Sequence, residues 1–511
     1  MTTTNASRTV ADAMTIPAIT ATPEETLETV AHRMQEHGVG SVVITDANRP
    51  VGILTERDLL RAAAGAAEPV TAHAGDWMTL DPQCVSPDVT IDEAWERLAT
   101  HRYRHIPVVT GGELKGIVSM RDLMALAQLR PAAAPPVIAP RGLKGVVVAE
   151  TALGDVRGLE GFYHYRQYSA TELAEKRSFE DVWHLLIDGE LPTSAERADF
   201  LAEVNPKRVL PEPVLELLPV VARAHAAPLA GLRTGISHLA AVEHMPASLD
   251  ADRTMLRNDA LRLSAAVPTI ITALHRLGQG LEPIEPRDDL GYVANYLWML
   301  NGRQPDPAHV RAVGQYMILA VDHGFNASTF TTRVVTSTGA DLGAAVCAGI
   351  GALSGPLHGG APSRALDSLD AIGTPDRAED WVRRAVQNGE RIMGFGHAVY
   401  RTTDPRSALL RGVAESFGGP LVELATKVEE TVERVLAELK PGRELHTNVE
   451  FYAGVVMELC GLPRDLFTPT FAASRVIGWC AQALEQAADN RIIRPSSRYV
   501  GPPPPQPVPA A

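Results

Sequence analysis

Apolar positions follow two different periods along this chain, and the change falls near residue 141. Before it, amphipathic segments with helix-capping starts, TPEETLETVAHRMQEHG (22–38) and SPDVTIDEAWERLATHR (86–102), each lead into a β-rich run, SVVIT (41–45) or HIPVV (105–109). A turn and a second strand follow, VGILT (51–55) or KGIVS (115–119), and then a closing helix. The two copies align without a gap: DAMT at Asp12 returns as DWMT at Asp76, and GILTERDLL at Gly52 returns as GIVSMRDLM at Gly116, each 64 residues on (12 to 76, 52 to 116). A repeat this regular marks one supersecondary unit used twice, here a small α/β pair over residues 8–128 with copies at 8–64 and 72–128.

The stretch RPAAAPPVIAP (130–140) has no period and reads as a semi-rigid linker, 129–141. Beyond it strand signals nearly vanish and helical patterns take over, so residues 142–500 are expected to form a mainly α-helical domain. In LVELATKVEETVERVLAELKPG (421–442), Leu421, Leu424, Val428, Val432, Val435 and Leu439 line one face, with Glu423–Lys427 and Glu430–Arg434 spaced as ion pairs on the other. The end of the chain, GPPPPQPVPAA (501–511), reads as a disordered tail.

The 511 residues are too many for one core. A net charge of -14 with no sustained Lys/Arg run argues against a nucleic-acid partner but leaves a small anion possible, since a few local arginines suffice for that. The N-terminus lacks a signal peptide, the longest uncharged stretch (342–363) is too rich in Gly, Ala, Ser and Pro for a membrane span, and the four cysteines are far apart. A soluble chain in a reducing cytoplasm, without a disulfide framework or zinc site, is therefore expected.

In GILTERD (52–58) and GIVSMRD (116–122) a hydroxyl and an aspartate stand where a strand enters a helix. Thr55 and Ser119 there fit two uses: helix N-caps, with Asp58 and Asp122 as first-turn charges, or a phosphate and ribose site. With the D-x-M-T starts and RHIPVV, the whole unit resembles a tandem pair of CBS domains. That resemblance implies an adenine-nucleotide sensor (AMP, ADP or ATP) with Thr55, Asp58, Ser119 and Asp122 as its contacts.

Three clusters in the helical part carry chemistry. VDHGFNASTF sets His323 beside Asn326, Ser328 and Thr329; SGPLHGGAPSRAL brackets His358 with glycines; MGFGHAVYRTTDPR places His397 behind Gly394, Phe395 and Gly396 and ahead of Arg401 and Arg406. If a helix begins after Pro362, a histidine near its positive end would stay neutral and could donate to a developing oxyanion. FAASRVIGW surrounds Arg475 with small and apolar residues, where a buried guanidinium needs a fixed anion, and NRIIRPSSRY adds Arg491 and Arg494. HTNVEFYAGVV encloses one acid, Glu450, in an apolar and aromatic run. No P-loop, G-x-S-x-G elbow or HExxH occurs. The set suits a polyanionic substrate and proton transfer at carbon.

In this order, with GELPT, GPLHGG and RPSSRYVG, the motifs resemble the citrate synthase family over residues 142–500. The resemblance implies a multidomain chain: the α/β CBS pair, then the mainly α-helical citrate synthase fold with large and small helical subdomains. It implies that His323, His397, Arg406 and Arg475 bind oxaloacetate, that Arg494 reaches a neighbouring subunit's site in a homodimer or higher homo-oligomer, and that Arg401 with Gly394, Phe395 and Gly396 lies near coenzyme A. His358 would stabilise the enol of acetyl-CoA, Glu450 would take the methyl proton and His397 would protonate the product, with the thioester as substrate and no resident cofactor or metal. The family pattern carries aspartate where this chain has Glu450. Two alternatives stay open: 2-methylcitrate synthesis from propionyl-CoA, and a non-catalytic nucleotide-sensing protein.

Overall fold

The first repeat folds as its apolar pattern dictates. In this computed structural model, which describes residues 9–65, 68–101, 103–120, 122–123, 138–358, 361–390, 392–396, 400, 402–440, 445–506 and 508, the chain divides into two compact units, Met1–Val146 and Val147–Ala511. The first copy runs β1 (Thr20–Ala21), α1 (Leu27–His37), β2 (Ser41–Asp46), β3 (Arg49–Thr55) and α2 (Glu56–Ala64). After α3 (Ala74–Trp77) and β4 (Thr79–Leu80), the second copy repeats it as α4 (Ile91–His101), β5 (His105–Thr110) and β6 (Glu113–Ser119). β2–β3 and β5–β6 are antiparallel hairpins; β1 adds to the first sheet in parallel and β4 antiparallel. The closing helix of the second copy and the linker fall mostly on residues 121 and 124–137, outside the described residues.

The D-x-M-T segments explain the glycines that open each second motif. Thr79 pairs with Ile53 of the first copy, while Thr15 bridges Ile117 of the second. A Cβ on Gly52 would collide with Met78 Sδ, and one on Gly116 would sit 2.8 Å from Thr15 O. Each copy thus lends its methionine segment to the other. Val10 and Ala13 accordingly pack with Val85, Ile106, Val108 and Val118 of the second copy.

The second unit begins with a three-stranded antiparallel sheet, β7 (Gly154–Arg157), β8 (Phe162–Tyr165) and β9 (Tyr168–Ser169), which the nearly strand-free texture did not announce. Its driving pattern is the alternation of β8: Tyr163 and Tyr165 are buried, while Phe162 and His164 are only half-buried. The remainder is helical. The order is α5 (Ala170–Lys176), α6 (Phe179–Asp188), α7 (Ser194–Val204), α8 (Glu212–Arg223), α9 (Pro228–Val242), α10 (Arg253–Gly278), α11 (Tyr292–Asn301), α12 (Pro307–Ala320), α13 (Ala327–Ser337) and α14 (Leu342–Leu353). There follow α15 (Ala361–Ile372), α16 (Ala378–Asn388), α17 (Pro405–Phe417), α18 (Pro420–Leu439), α19 (Val449–Leu459) and α20 (Phe467–Ala488). The expected apolar face of α18 is buried from Leu424 to Val435. Its ion pairing differs: Arg434 reaches Glu379 of α16 at 2.7 Å and Glu438 at 3.4 Å rather than Glu430, because packing on α16 offers it a better-placed carboxylate.

α20 is the centre of this unit. It is buried on nearly every side and packs against α10, α12, α13 and α14, as a helix apolar all round must. One residue sets how close its neighbours come: a Cβ on Gly478 would collide with the Val321 carbonyl, so only glycine lets the turn after α12 lie against α20. Among the described residues no helix is long and apolar enough to cross a membrane, and the four cysteines are free. Residues 501–506 are exposed and form neither helix nor strand.

Replacing Gly478 with Ala therefore tests the packing. Its gain of about 1 kcal/mol in helix propensity is opposed by an overpacking cost of about 1–3 kcal/mol, more if the Val321 backbone must move. Denaturant unfolding should show a net loss of stability rather than the gain expected for Gly→Ala in a helix interior.

Candidate functional site

The site is assembled where helix ends meet. α12 finishes at Ala320, and its last carbonyls need donors. Tyr163 and Tyr165 of β8 supply them: Tyr163 Oη donates to Leu319 O (3.2 Å), and Tyr165 Oη donates to Ile318 O (2.8 Å) and Asp322 O (3.0 Å). This fixes the turn carrying His323. The His323 ring lies 5.3 Å from that of Tyr163, and its Nε2 is 3.0 Å from Tyr400 Oη.

Beside that turn stands Arg475 of α20, only 2% exposed. Its Nε donates to Ala320 O (2.7 Å), and its guanidinium lies 4.6 Å from the Phe471 ring centroid. Burial lowers its pKa, with the Asp322 carboxylate the strongest opposing influence. Asp322 itself is pushed up by burial and held down in part by Arg475; one of its oxygens, Oδ1, has no hydrogen-bond partner. Arg475 thus keeps its charge at some cost, as expected of a group waiting for an anion.

Arg406 opens α17 and is 3% exposed. Its anchor is Asp404, the N-cap of that helix, which is 1% exposed. Asp404 Oδ1 accepts from Arg406 N (3.0 Å) and Arg406 Nε (3.0 Å), while Oδ2 accepts from Arg406 Nη2 (2.8 Å) and from Val449 N (3.1 Å). Burial works against the Arg406 charge, but Asp404 more than offsets it and the pKa is raised. The same carboxylate therefore holds a guanidinium and the first turn of α19.

α19 carries Glu450. Asn448 caps it, its Oδ1 accepting from Glu450 N (3.1 Å), so the glutamate stands in the first turn, where a negative charge complements the helix. Asn448 also ties down the glycine turn: its Nδ2 donates to Gly396 O (2.9 Å) and its N to Gly394 O (2.9 Å). Gly394 and Gly396 adopt φ of +84° and +81°, a left-handed backbone that explains their identity, and Phe395 between them packs on Phe451. His397 and Arg401, expected in this cluster, lie outside the described residues.

His358 follows α14 and precedes α15, which starts at Ala361, ahead of Pro362 rather than after it. Its Nε2 is 2.8 Å from Ser328 Oγ, which donates to Asn326 Oδ1 (2.8 Å) and accepts from Trp479 Nε1 (3.2 Å). Asn326 Oδ1 also accepts from the amides of Ser328 and Thr329 at 3.1 Å each, so it holds the Ser328 side chain and the first turn of α13 together. Burial, and then the charge of Arg475, lower the His358 pKa to about 4. The imidazole is neutral above that value, as a hydrogen-bond donor to an oxyanion must be.

The charges of Glu450, Arg475 and Arg406 all act on the buried hydroxyl of Tyr316 in α12, which places the acid and both arginines around one region. Arg494 is not part of it: it is exposed and has no hydrogen bond or ion pair among the described residues. The partners Asp404, Tyr400, Trp479 and Tyr316 were not singled out by motif reading; only TTDPR, with Asp two before Arg, signalled one of them. In the first unit, Thr55 Oγ donates to Asp58 Oδ2 (2.8 Å) and Ser119 Oγ to Asp122 Oδ2 (2.6 Å), the helix-capping use of these pairs.

A neutral His358 predicts a specific titration. In ¹⁵N-histidine NMR its ring should stay neutral from pH 8 to pH 5 and protonate near 4; an ordinary midpoint near 6.5 would remove the oxyanion-donor role.

Comparisons with known proteins agree with this geometry. The family description "Citrate synthase, C-terminal domain" matches residues 142–496, and "CBS domain" matches 10–65 and 74–128. Relatives include a citrate synthase of Deinococcus radiodurans (36% identical, covering 71% of this chain and 95% of that one) and citrate synthase 2 of Bacillus subtilis (37%, 71% and 96%). Among solved structures, citrate synthase of Pyrobaculum aerophilum is similar at 36% identity and TM-score 0.66, covering 72% of this chain and 94% of that one. The ternary complex of the Thermoplasma acidophilum citrate synthase with carboxymethyl coenzyme A and oxaloacetate is similar at 29% identity and TM-score 0.66, covering 72% and 98%. With motifs, helical fold and family match coinciding over the same residues, this chain belongs to the citrate synthase family of condensing acyltransferases, with a tandem CBS pair at its N-terminus.

Proposed function

We propose that the chain condenses acetyl-CoA with oxaloacetate to citrate and CoA, with Glu450 as the base. The observation that carries this reading is the Asp404 carboxylate, which fixes an anion-binding guanidinium and the helix bearing an acid in one unit. Arg406 and Arg475 offer the charge that a dicarboxylate needs, and His323, held by Tyr400, adds a polar contact. Glu450 takes a proton from the thioester methyl while neutral His358 stabilises the enolate oxygen. The enol carbon attacks the ketone of oxaloacetate, whose oxygen is protonated from His397. Water then cleaves the citryl thioester, releasing CoA. Arg401 and the Gly394–Gly396 turn are assigned to the coenzyme A side, and the chain's own residues supply every proton transfer without a resident cofactor.

The unit of action is a homodimer. Leu357, next to His358, is 96% exposed, and Ile492, Tyr499 and Val500 are also exposed on the segment that carries the unpaired Arg494. A second copy would cover these apolar groups and receive Arg494 at its substrate site. The CBS pair is assigned to adenine nucleotides, whose phosphate and ribose would compete with the capping bonds of Thr55–Asp58 and Ser119–Asp122. Four free cysteines suit a reducing, cytoplasmic setting.

The test is release of free CoA thiol on mixing the full chain with oxaloacetate and either acetyl-CoA or propionyl-CoA, with and without AMP or ATP. Acetyl-CoA should be turned over faster than propionyl-CoA, and nucleotide should change the rate. Glu450→Gln should lower turnover by on the order of 10²–10⁴-fold, the usual worth of a general base, while oxaloacetate binding persists. Retained turnover in that variant would place the base elsewhere.

A further inference from the structure

Tyr316 is the outlier among the buried tyrosines. Tyr163 and Tyr165 donate to carbonyls at the end of α12; Tyr292 Oη donates to Ala473 O (2.7 Å), Tyr296 Oη meets Thr470 Oγ1 (2.8 Å) and Tyr452 Oη donates to Glu429 (2.6 Å). Tyr316, 1% exposed, has a hydroxyl with no hydrogen-bond partner. Leaving a buried hydroxyl unpaired costs about 1–3 kcal/mol. Phenylalanine would fill the same space without that cost, so the oxygen is retained for a contact that the ligand-free chain does not make.

The surroundings limit what that contact is. α12 packs against both α17, which carries Arg406, and α19, which carries Glu450. One turn on from Tyr316, Ala320 O receives Arg475 Nε. Burial and, next, the charge of Glu450 raise the pKa of the phenol, against the smaller opposing influence of Arg475 and Arg406. The phenol therefore remains protonated and acts as a donor. Of the three charged side chains, the two arginines only donate, so Glu450 alone can accept.

We infer that Tyr316 is a positioning residue whose hydroxyl donates to the Glu450 carboxylate once the site is loaded, holding the base at the reacting carbon. The inference rests on Glu450 being the base. It also answers the difficulty raised by glutamate in place of the family's aspartate. The extra methylene adds a rotatable bond, and a misplacement of about 1 Å can cost on the order of 100-fold in rate. A fixed donor removes that freedom. Catalytic hydrogen bonds are often long or unmade before the substrate arrives, consistent with the unpartnered hydroxyl.

The experiment compares the full chain with its Tyr316→Phe variant, which removes one oxygen and keeps the ring in the core. The expected result is a fall in kcat of about 10–100-fold, with the KM for oxaloacetate within about 2-fold of the parent. The acid limb of the kcat profile should move to higher pH, because a carboxylate that loses a donor becomes a stronger base. A second readout does not depend on turnover: ¹³C NMR of the Glu450 carboxyl, with oxaloacetate bound, should show a higher pKa in the variant. Unchanged kcat and carboxyl titration would overturn the inference. So would a loss confined to the oxaloacetate KM, which would assign the hydroxyl to the substrate. If the parent chain releases no CoA, the condensation reading fails, and the carboxyl titration still decides the Tyr316–Glu450 contact.

Discussion

The site depends on one buried carboxylate. Asp404 accepts four hydrogen bonds, from Arg406 N, Nε and Nη2 and from Val449 N, and Ser407 Oγ adds a second link from α17 by donating to Thr447 Oγ1 (2.9 Å) just before α19. A buried ion pair is a weak source of stability, because desolvation offsets most of the attraction, but it is costly to break and so fixes geometry. Here it fixes two things together: the direction of the buried Arg406 guanidinium and the position of the helix turn that carries the acid. Asn448 extends the same frame to the Gly394–Gly396 turn.

The other half of the site is held by the backbone at helix ends. The tyrosines of β8 cap α12, the turn after α12 lies against Gly478, and α20 thereby brings Arg475 beside the His323 turn and Trp479 against Ser328. Function thus uses groups that helices leave unsatisfied or polarised: C-terminal carbonyls at α12 and positive N-termini at α17 and α19. Burial, and then the charge of Arg475, keeps His358 neutral.

Much of this was legible in local patterns. The gapless repeat gave the two-copy α/β unit, and the period change near 141 marked the helical part. Glycine brackets located His358 and the Gly394–Gly396 turn, because left-handed backbone and close approach demand glycine whatever the rest of the fold. What escaped was set by distance in sequence. Asp404 meets Val449, 45 positions on; Ser328 meets Trp479, 151 on; Tyr165 meets Ile318, 153 on. No periodicity encodes such pairs. Arg434 chose Glu379 over Glu430 for the same reason, since tertiary packing supplied a nearer acid than its own helix. The exchange of methionine segments between the CBS copies was equally hidden, although the Gly52 and Gly116 positions that permit it were visible.

The central claim is that Asp404 couples substrate binding to placement of the base, and the Asp404→Asn variant tests it most directly. The measurement is oxaloacetate affinity and condensation kcat on the same folded sample. Breaking one partner of a buried pair costs about 3–5 kcal/mol, so both quantities should fall, affinity by on the order of 10-fold or more and kcat by on the order of 100-fold. A variant with lowered melting temperature but parental affinity and kcat would contradict the account, reducing Asp404 to a helix cap.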